Sequence, residues 1–169
     1  RLNACGALGQ YGGKEVQAAL VQALGDGEPQ VAAAALRGLS RPEFSGAAAA
    51  IGEVVEEGDE SLRPLAVQAL SQMATVENLA VFQRLAGDRD TEVRSVAAFT
   101  LGKLRDSRAL PTLVGLLDDE AWEVRANAAQ ALGMIGDPAA RPHLEKLPDD
   151  IDENQQVRMA AELALEKLR

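Results

Sequence analysis

The sequence realigns with itself at intervals of 31 residues, and few folds accommodate that. Val-Arg-Ala-Asn-Ala-Ala-Gln-Ala-Leu-Gly at 124–133 matches Val-Arg-Ser-Val-Ala-Ala-Phe-Thr-Leu-Gly at 93–102. Further back come Leu-Arg-Pro-Leu-Ala-Val-Gln-Ala-Leu-Ser at 62–71 and Val-Ala-Ala-Ala-Ala-Leu-Arg-Gly-Leu-Ser at 31–40. One more step puts Arg1 in the column of Arg94 and Arg125. The forward step, to Val157, is 33, so about two residues are inserted in the preceding loop. A period of this length implies a stack of one supersecondary unit, each copy covering the apolar face of the next.

Within a unit the apolar residues fall at helical spacings, as in Val124, Ala128, Ala131, Leu132 and Ile135, and strand-type alternation is absent. A second apolar series follows in each unit: Leu20, Ile51, Phe82, Leu113 and Leu144 in one column, Ala23, Val54, Leu85, Leu116 and Leu147 in another. Each unit therefore reads as helix A, a tight turn and helix B. The turn is Leu-Gly-x-x-Gly-Asp or a variant, with Gly133 and Gly136 where left-handed backbone is wanted at a helix end. Hydrophobic content of 47% with only 3% aromatics fits close Ala/Leu/Val helix packing.

The units run about 1–26, 27–57, 58–87, 88–118 and 119–150, with a terminal helix at 153–169, all read as one domain. Pro42 opens the second helix B, expected at Ser45–Gly52. Pro64 lies in the first turn of the third helix A, where proline is tolerated, and Pro111 and Pro142 share a column near the start of helix B. The chain begins one residue into a repeat, so it reads as a piece of a longer protein. No run approaches the roughly 18 apolar residues of a membrane span. Cys5 is the only cysteine and excludes an internal disulfide, which fits a reducing compartment such as the cytoplasm. A net charge of −9 argues against nucleic-acid and anionic-membrane partners.

Val-Arg-x-x-Ala-Ala-x-Ala-Leu-Gly at 93–102 and 124–133, followed by Gly136-Asp137, resembles the short HEAT-like repeat of phycobilin lyases. The resemblance spans essentially the whole chain and implies an all-α fold. That fold is a right-handed α-solenoid of about five two-helix units plus a terminal helix, with helix B on the concave side. It also implies three functions: a protein-binding scaffold first, then a factor acting on a chromophore or chromoprotein, and a regulatory repeat domain fused to an enzyme. The fold by itself licenses none of them.

Two sets of polar columns stand out. Arg63, Arg94, Arg125 and Arg158 share a column, and Glu57, Asp88, Asp119 and Asp152 each precede one of them by six residues. Such carboxylates can accept from helix N-terminal amides, and each arginine can reach its own carboxylate or that of the adjacent repeat. This is the expected structural ladder, broken at Ala32. The acids crowd the loops between units, among them Asp118, Glu120, Asp149 and Asp150, and predict an acidic edge that steers a basic partner. Lys14, Arg37, Arg41, Lys103, Arg105 and Arg108 mark a mildly basic opposite edge.

The non-core columns of helix B are small or apolar: Ala49, Ala80, Val81, Pro111, Thr112, Pro142 and His143. They form the expected docking groove for a protein segment with an apolar stripe and a basic margin, with Trp122 as an alternative contact anchor. The protein is expected to be a monomer.

No catalytic, metal or cofactor site is expected. His143 stands alone, whereas di-iron hydroxylases of the HEAT-like type need several His-Glu pairs. Asp149-Asp-Ile-Asp-Glu lacks the glycine and oxygen spacing of a calcium loop. Gly9-Gln-Tyr-Gly-Gly13 falls on a repeat turn and lacks the Lys-Ser/Thr ending of a phosphate loop. Cys5 shares its column with Ala66, Ala97 and Ala128 and reads as a small core residue.

Overall fold

A computed structural model describes residues 1–147 and 154–169. Among them all regular structure is helical. The expected loop at Pro148–Glu153, with its acids Asp149, Asp150 and Asp152, lies outside the described residues.

The chain packs as two compact units, Arg1–Val81 and Phe82–Arg169. The first holds α1 (Leu2–Leu8), α2 (Lys14–Leu24), α3 (Pro29–Leu39), α4 (Ala48–Glu57) and α5 (Arg63–Gln72). Helix α6 (Leu79–Leu85) carries the boundary. The second holds α7 (Thr91–Leu104), α8 (Leu110–Gly115), α9 (Trp122–Ile135), α10 (Arg141–Leu144) and α11 (Gln155–Lys167). Helices A and B alternate, as the two apolar series require. In the first unit Leu20, Leu36, Leu39, Phe44, Ile51, Leu70 and Met73 are buried; in the second, Phe82, Leu101, Leu113, Leu132 and Leu144 are.

Short polar side chains start many of these helices. Asp90 accepts from the Glu92 amide and Asn154 from that of Gln156, each at 2.8 Å. The aspartate that ends the turn has the same task for helix B: Asp137 accepts from the Ala139 amide at 2.9 Å, and Asp106 from the Arg108 amide at 2.9 Å. These bonds satisfy amides that the first helical turn leaves without a partner.

Helix B differs from expectation. It opens with a 3-10 turn, at Ser107–Ala109 and Pro138–Ala140, before the α-helix proper. In the second repeat the change is larger. Pro42–Ala47 is 3-10, with Phe44 outside helical φ/ψ, and α4 starts only at Ala48, so the helix expected from Ser45 begins three residues late. Phe44 is fully buried there, and its burial outweighs helical continuity in a stretch weakened by Gly46.

The A helices approach one another through paired small residues. A Cβ on Gly102 would lie 2.6 Å from the Cα of Ala131, and one on Gly133 would lie 2.7 Å from the Cα of Ala164. In the first unit a Cβ on Gly9 would lie 2.8 Å from the Cα of Gly38. Asn127 donates to Ser95 at 2.5 Å, and Gly102 faces Ala131 further along both helices, so α7 and α9 run in the same direction. The two glycines of the turn therefore differ in purpose. Gly133 is buried in the helix and permits close approach, while Gly136 alone is left-handed, with φ 76°. Its counterpart Arg105 takes the same left-handed position, φ 52°, with a full side chain.

Candidate functional site

The arginine column builds the loop edge of the second unit. Arg94 lies in the first turns of α7, where its guanidinium faces the loop that precedes α9. Nε and Nη2 donate to Oδ2 and Oδ1 of Asp119 at 2.8 and 2.9 Å. Nη1 turns back to the carbonyls of Asp88 and Arg89 at 3.0 and 3.2 Å. Asp119 Oδ1 also accepts from the Ala121 amide at 2.9 Å. The hydrogen bond from Arg94 holds the Asp119 carboxyl below its ordinary value, and the same bond raises the guanidinium. Arg125 repeats the inward half of the pattern, donating to the carbonyls of Asp119 and Glu120 at 2.7 and 3.1 Å.

Arg94 and Arg125 thus hold their own loops by backbone carbonyls, and Arg94 adds the carboxylate of the next repeat. Ladder aspartates shape the loop rather than the helix end: Asp88 accepts from the Asp90 amide at 2.8 Å, and helix α7 is capped by Asp90. In the first unit Arg1 reaches Asp26 at 2.8 Å, again 25 residues on, and Glu28 at 2.9 Å. Arg63 is buried on α5, and Ala32 is buried in the position where the column has no arginine. Arg158 is half-buried on α11, and its column partner Asp152 is outside the described residues.

The helix-B columns divide. Ala49, Ala80, Pro111 and Pro142 are all exposed. The next column is not uniformly so: His143 is exposed, Thr112 is half-buried, and Val81 is buried at 8% exposure. Val81 is therefore removed from the expected docking surface. Neighbouring helical positions point about 100° apart, so this column turns toward the packed side. Thr112 accepts from Gln83 Nε2 at 3.4 Å, which also reaches the Arg108 carbonyl at 3.0 Å.

In the second unit the exposed column leads into the acidic loop. Pro111, Gly115 and Asp118 are exposed at i, i+4 and i+7, and a Cβ on Gly115 would meet nothing within 4 Å. Beyond them Glu120 is 85% exposed in its side chain, and Trp122 is 40% exposed at the first turn of α9. Among the described residues no group of three His, Cys, Asp or Glu side chains is placed to hold a metal ion. No helix there is long and apolar enough to cross a membrane.

With the repeat packing, the arginine bridges and the glycine contacts in place, comparison with known proteins assigns the family. The model for HEAT repeats matches residues 18–90 and 78–166. The chain belongs to the HEAT-repeat family. Solved structures of this HEAT-repeat chain's fold include CpcE–CpcF of phycocyanin lyase from Nostoc sp. PCC7120. That match has 23% identity over 94% of this chain and 66% of that one, with a TM-score of 0.70. A designed armadillo repeat protein in complex with the peptide (KR)4 matches at 23% identity over 99% and 91%, TM-score 0.65. Human deoxyhypusine hydroxylase matches at 24% identity over 99% and 67%, TM-score 0.62. These likenesses establish the α-solenoid fold and carry no activity across. No curated protein sequence matches the chain.

Sequence reasoning located the arginine column and the acidic loops. It left open whether an arginine reaches its own carboxylate or that of the adjacent repeat, which Arg94 settles by bridging forward to Asp119, and it missed the glycine-to-alanine contacts. The pairing of Gly102 with Ala131 was visible as two columns of small residues, but nothing in the period says which columns meet.

Proposed function

We propose that this HEAT-repeat chain is a protein-binding scaffold that takes a basic, extended segment on the helix-B side of its second unit. The observation that carries the proposal is the exposed column Pro111–Gly115–Asp118, which runs from an apolar start to the acids of the loop at Glu120. Small side chains let a backbone approach closely, while Asp118 and Glu120 attract lysine or arginine and fix its orientation. Trp122 offers a ring face for a cation beside those acids. The designed armadillo protein that shares the fold is bound to a peptide of alternating Lys and Arg, which supports a basic ligand for an acidic relative.

The test is fluorescence anisotropy with a labelled (KR)4 peptide and an uncharged peptide of equal length. Binding of the basic peptide should weaken as salt rises. Asp118→Lys with Glu120→Lys should reduce it at least about fivefold, mainly through slower association. Pro111→Lys should weaken it without changing the melting temperature. Equal affinity for both peptides, or indifference to both variants, would remove the proposal.

A second reading, a factor acting on a phycobilin chromoprotein, is favoured by the likeness to phycocyanin lyase. Incubation with free bilin and an apo-chromoprotein tests it: covalent transfer or a stable coloured complex supports it, and an unchanged spectrum removes it.

A further inference from the structure

The second unit has a face that the binding proposal leaves unused. Apart from Trp122, which belongs to the binding proposal, its exposed large apolar side chains among the described residues are Phe99, Met159 and Leu163, and all three lie on A helices. Glu92, Phe99 and Lys103 lie at i, i+7 and i+11 along α7, one exposed face of the helix. The same register on α9 gives Glu123, Gln130 and Met134, and on α11 it gives Gln156, Leu163 and Lys167. The outer face therefore carries acids at the starts of α7 and α9, Phe99 and Leu163 in the middle of α7 and α11, and lysines at the ends of α7 and α11. Between α9 and α11 a groove of about 230 Å³ is lined by Gln130, Met159 and Leu163, with Lys167 at one end.

The charges alone follow helix-dipole preference, acids at N-termini and lysines at C-termini. That preference does not account for Phe99, Met159 and Leu163 standing in water between them. The corresponding column in the first unit holds Arg37 and Gln68, so the repeat itself tolerates a polar residue there.

We infer that the A-helix face of the second unit is a self-association surface whose occupant is the same face of a second copy, related by a two-fold axis. The order of charge selects this occupant. A two-fold axis lying in the interface and perpendicular to the helices brings the two faces together with helix direction reversed, so the end of the face that carries Glu92 and Glu123 in one copy opposes the end that carries Lys103 and Lys167 in the other. A two-fold axis parallel to the helices would keep helix direction and place acids on acids. The interface is isologous and closes at two copies. The antiparallel arrangement also aligns the helix dipoles favourably, and the ridge of Met159 and Leu163 on each copy enters the groove of the other.

The size of the face sets the strength. Three helices of up to 14 residues cover roughly 20 by 30 Å, or about 600 Å² per copy, below the ~800 Å² of a standard interface. The dimer is accordingly weak, half-formed in the range of about 10–500 µM. Because each copy carries a net charge of −9, raising salt from low values to physiological strength strengthens association by screening long-range repulsion.

Sedimentation equilibrium on the full chain, across a concentration series at ~0.15 M salt, tests the inference. The wild-type protein should dimerise. Leu163→Glu should weaken dimerisation at least tenfold while circular dichroism and melting are retained. A charge exchange separates this arrangement from unspecific stickiness. Lys103→Glu with Lys167→Glu, and separately Glu92→Lys with Glu123→Lys, should each be monomeric alone. Mixed in equal amounts they should form a heterodimer. A wild-type protein that is monomeric at about 1 mM overturns the inference. So does a dimer that survives Leu163→Glu, or charge variants that each dimerise alone as the wild type does.

Discussion

Arg94 and Asp119, 25 residues apart in sequence, are joined by two parallel hydrogen bonds of 2.8 and 2.9 Å with both side chains more than nine-tenths buried. The pair ties the start of α7 to the loop that launches α9, and the remaining guanidinium nitrogen closes the loop before α7. Removing one partner of a buried pair leaves an uncompensated charge, which costs about 3–5 kcal/mol. Arg94→Ala should lower stability by that amount in urea unfolding. The exposed bridge from Arg1 to Asp26 should matter far less, with Arg1→Ala costing under ~1 kcal/mol. Equal effects at the two sites would refute the distinction.

The same pair sets a pH dependence. The Asp119 carboxyl is lowered from its ordinary value of 3.8, first by the hydrogen bond from Arg94 and then by the Ala121 amide. Its folded pKa therefore lies below its unfolded pKa. The stability it contributes is complete above the unfolded value and is lost as pH falls through the folded one, because the unfolded state takes up the proton first. Below about pH 4 the wild type should lose stability more steeply than Asp119→Asn, although the variant is the less stable of the two at neutral pH. Parallel acid-unfolding slopes would show that Asp119 is not the responsible group.

Helix spacing in the second unit depends on Gly102 and Gly133. A methyl group at either would meet the facing alanine at 2.6 or 2.7 Å, and that contact is Cα as well as Cβ. Backbone must therefore move. Gly102→Ala and Gly133→Ala should each destabilise by about 1–3 kcal/mol despite alanine's better helix propensity. Gly115→Ala, whose Cβ meets nothing, should be neutral or stabilising. Differential scanning calorimetry ranks the three.

Arg105 occupies a left-handed position that glycine fills at Gly136. Left-handed backbone costs a side-chain-bearing residue about 1–2 kcal/mol, partly offset by glycine's greater freedom when unfolded. Arg105→Gly should raise stability by roughly 0.5–1 kcal/mol, seen as an upward shift of the unfolding midpoint. A loss of stability would mean that the Arg105 side chain makes a compensating contact.

The second repeat should open first. Its helix B begins with the 3-10 stretch Pro42–Ala47, α4 contains Gly52, and Ala32 stands where neighbouring repeats place the bridging arginine. In a repeat array local opening follows the weakest element and its interfaces. Amide hydrogens in 31–57 should exchange faster than those in 93–133, by mass spectrometry. The opposite order would place the weak point elsewhere.

The 31-residue period and the 3.6-residue spacing of Val124, Ala128, Ala131 and Leu132 by themselves determined the all-α repeat fold, because few other arrangements bury those residues. The same period marked the arginine column and the acids six residues ahead of it. Period alone is blind to which column meets which across a helix pair. Only the tertiary structure decided that Arg94 reaches forward to Asp119, that Gly102 faces Ala131, and that Val81 turns inward while Ala80 stays exposed. Those outcomes depend on helix rotation and separation, set by side-chain volumes in contact rather than by residue order. The start of α4 was decided in the same way: local propensity allowed a helix from Ser45, and the burial of Phe44 moved it to Ala48. The apolar outer face at Phe99, Met159 and Leu163 was legible in sequence only as scattered residues, since their common exposure exists once three A helices lie side by side.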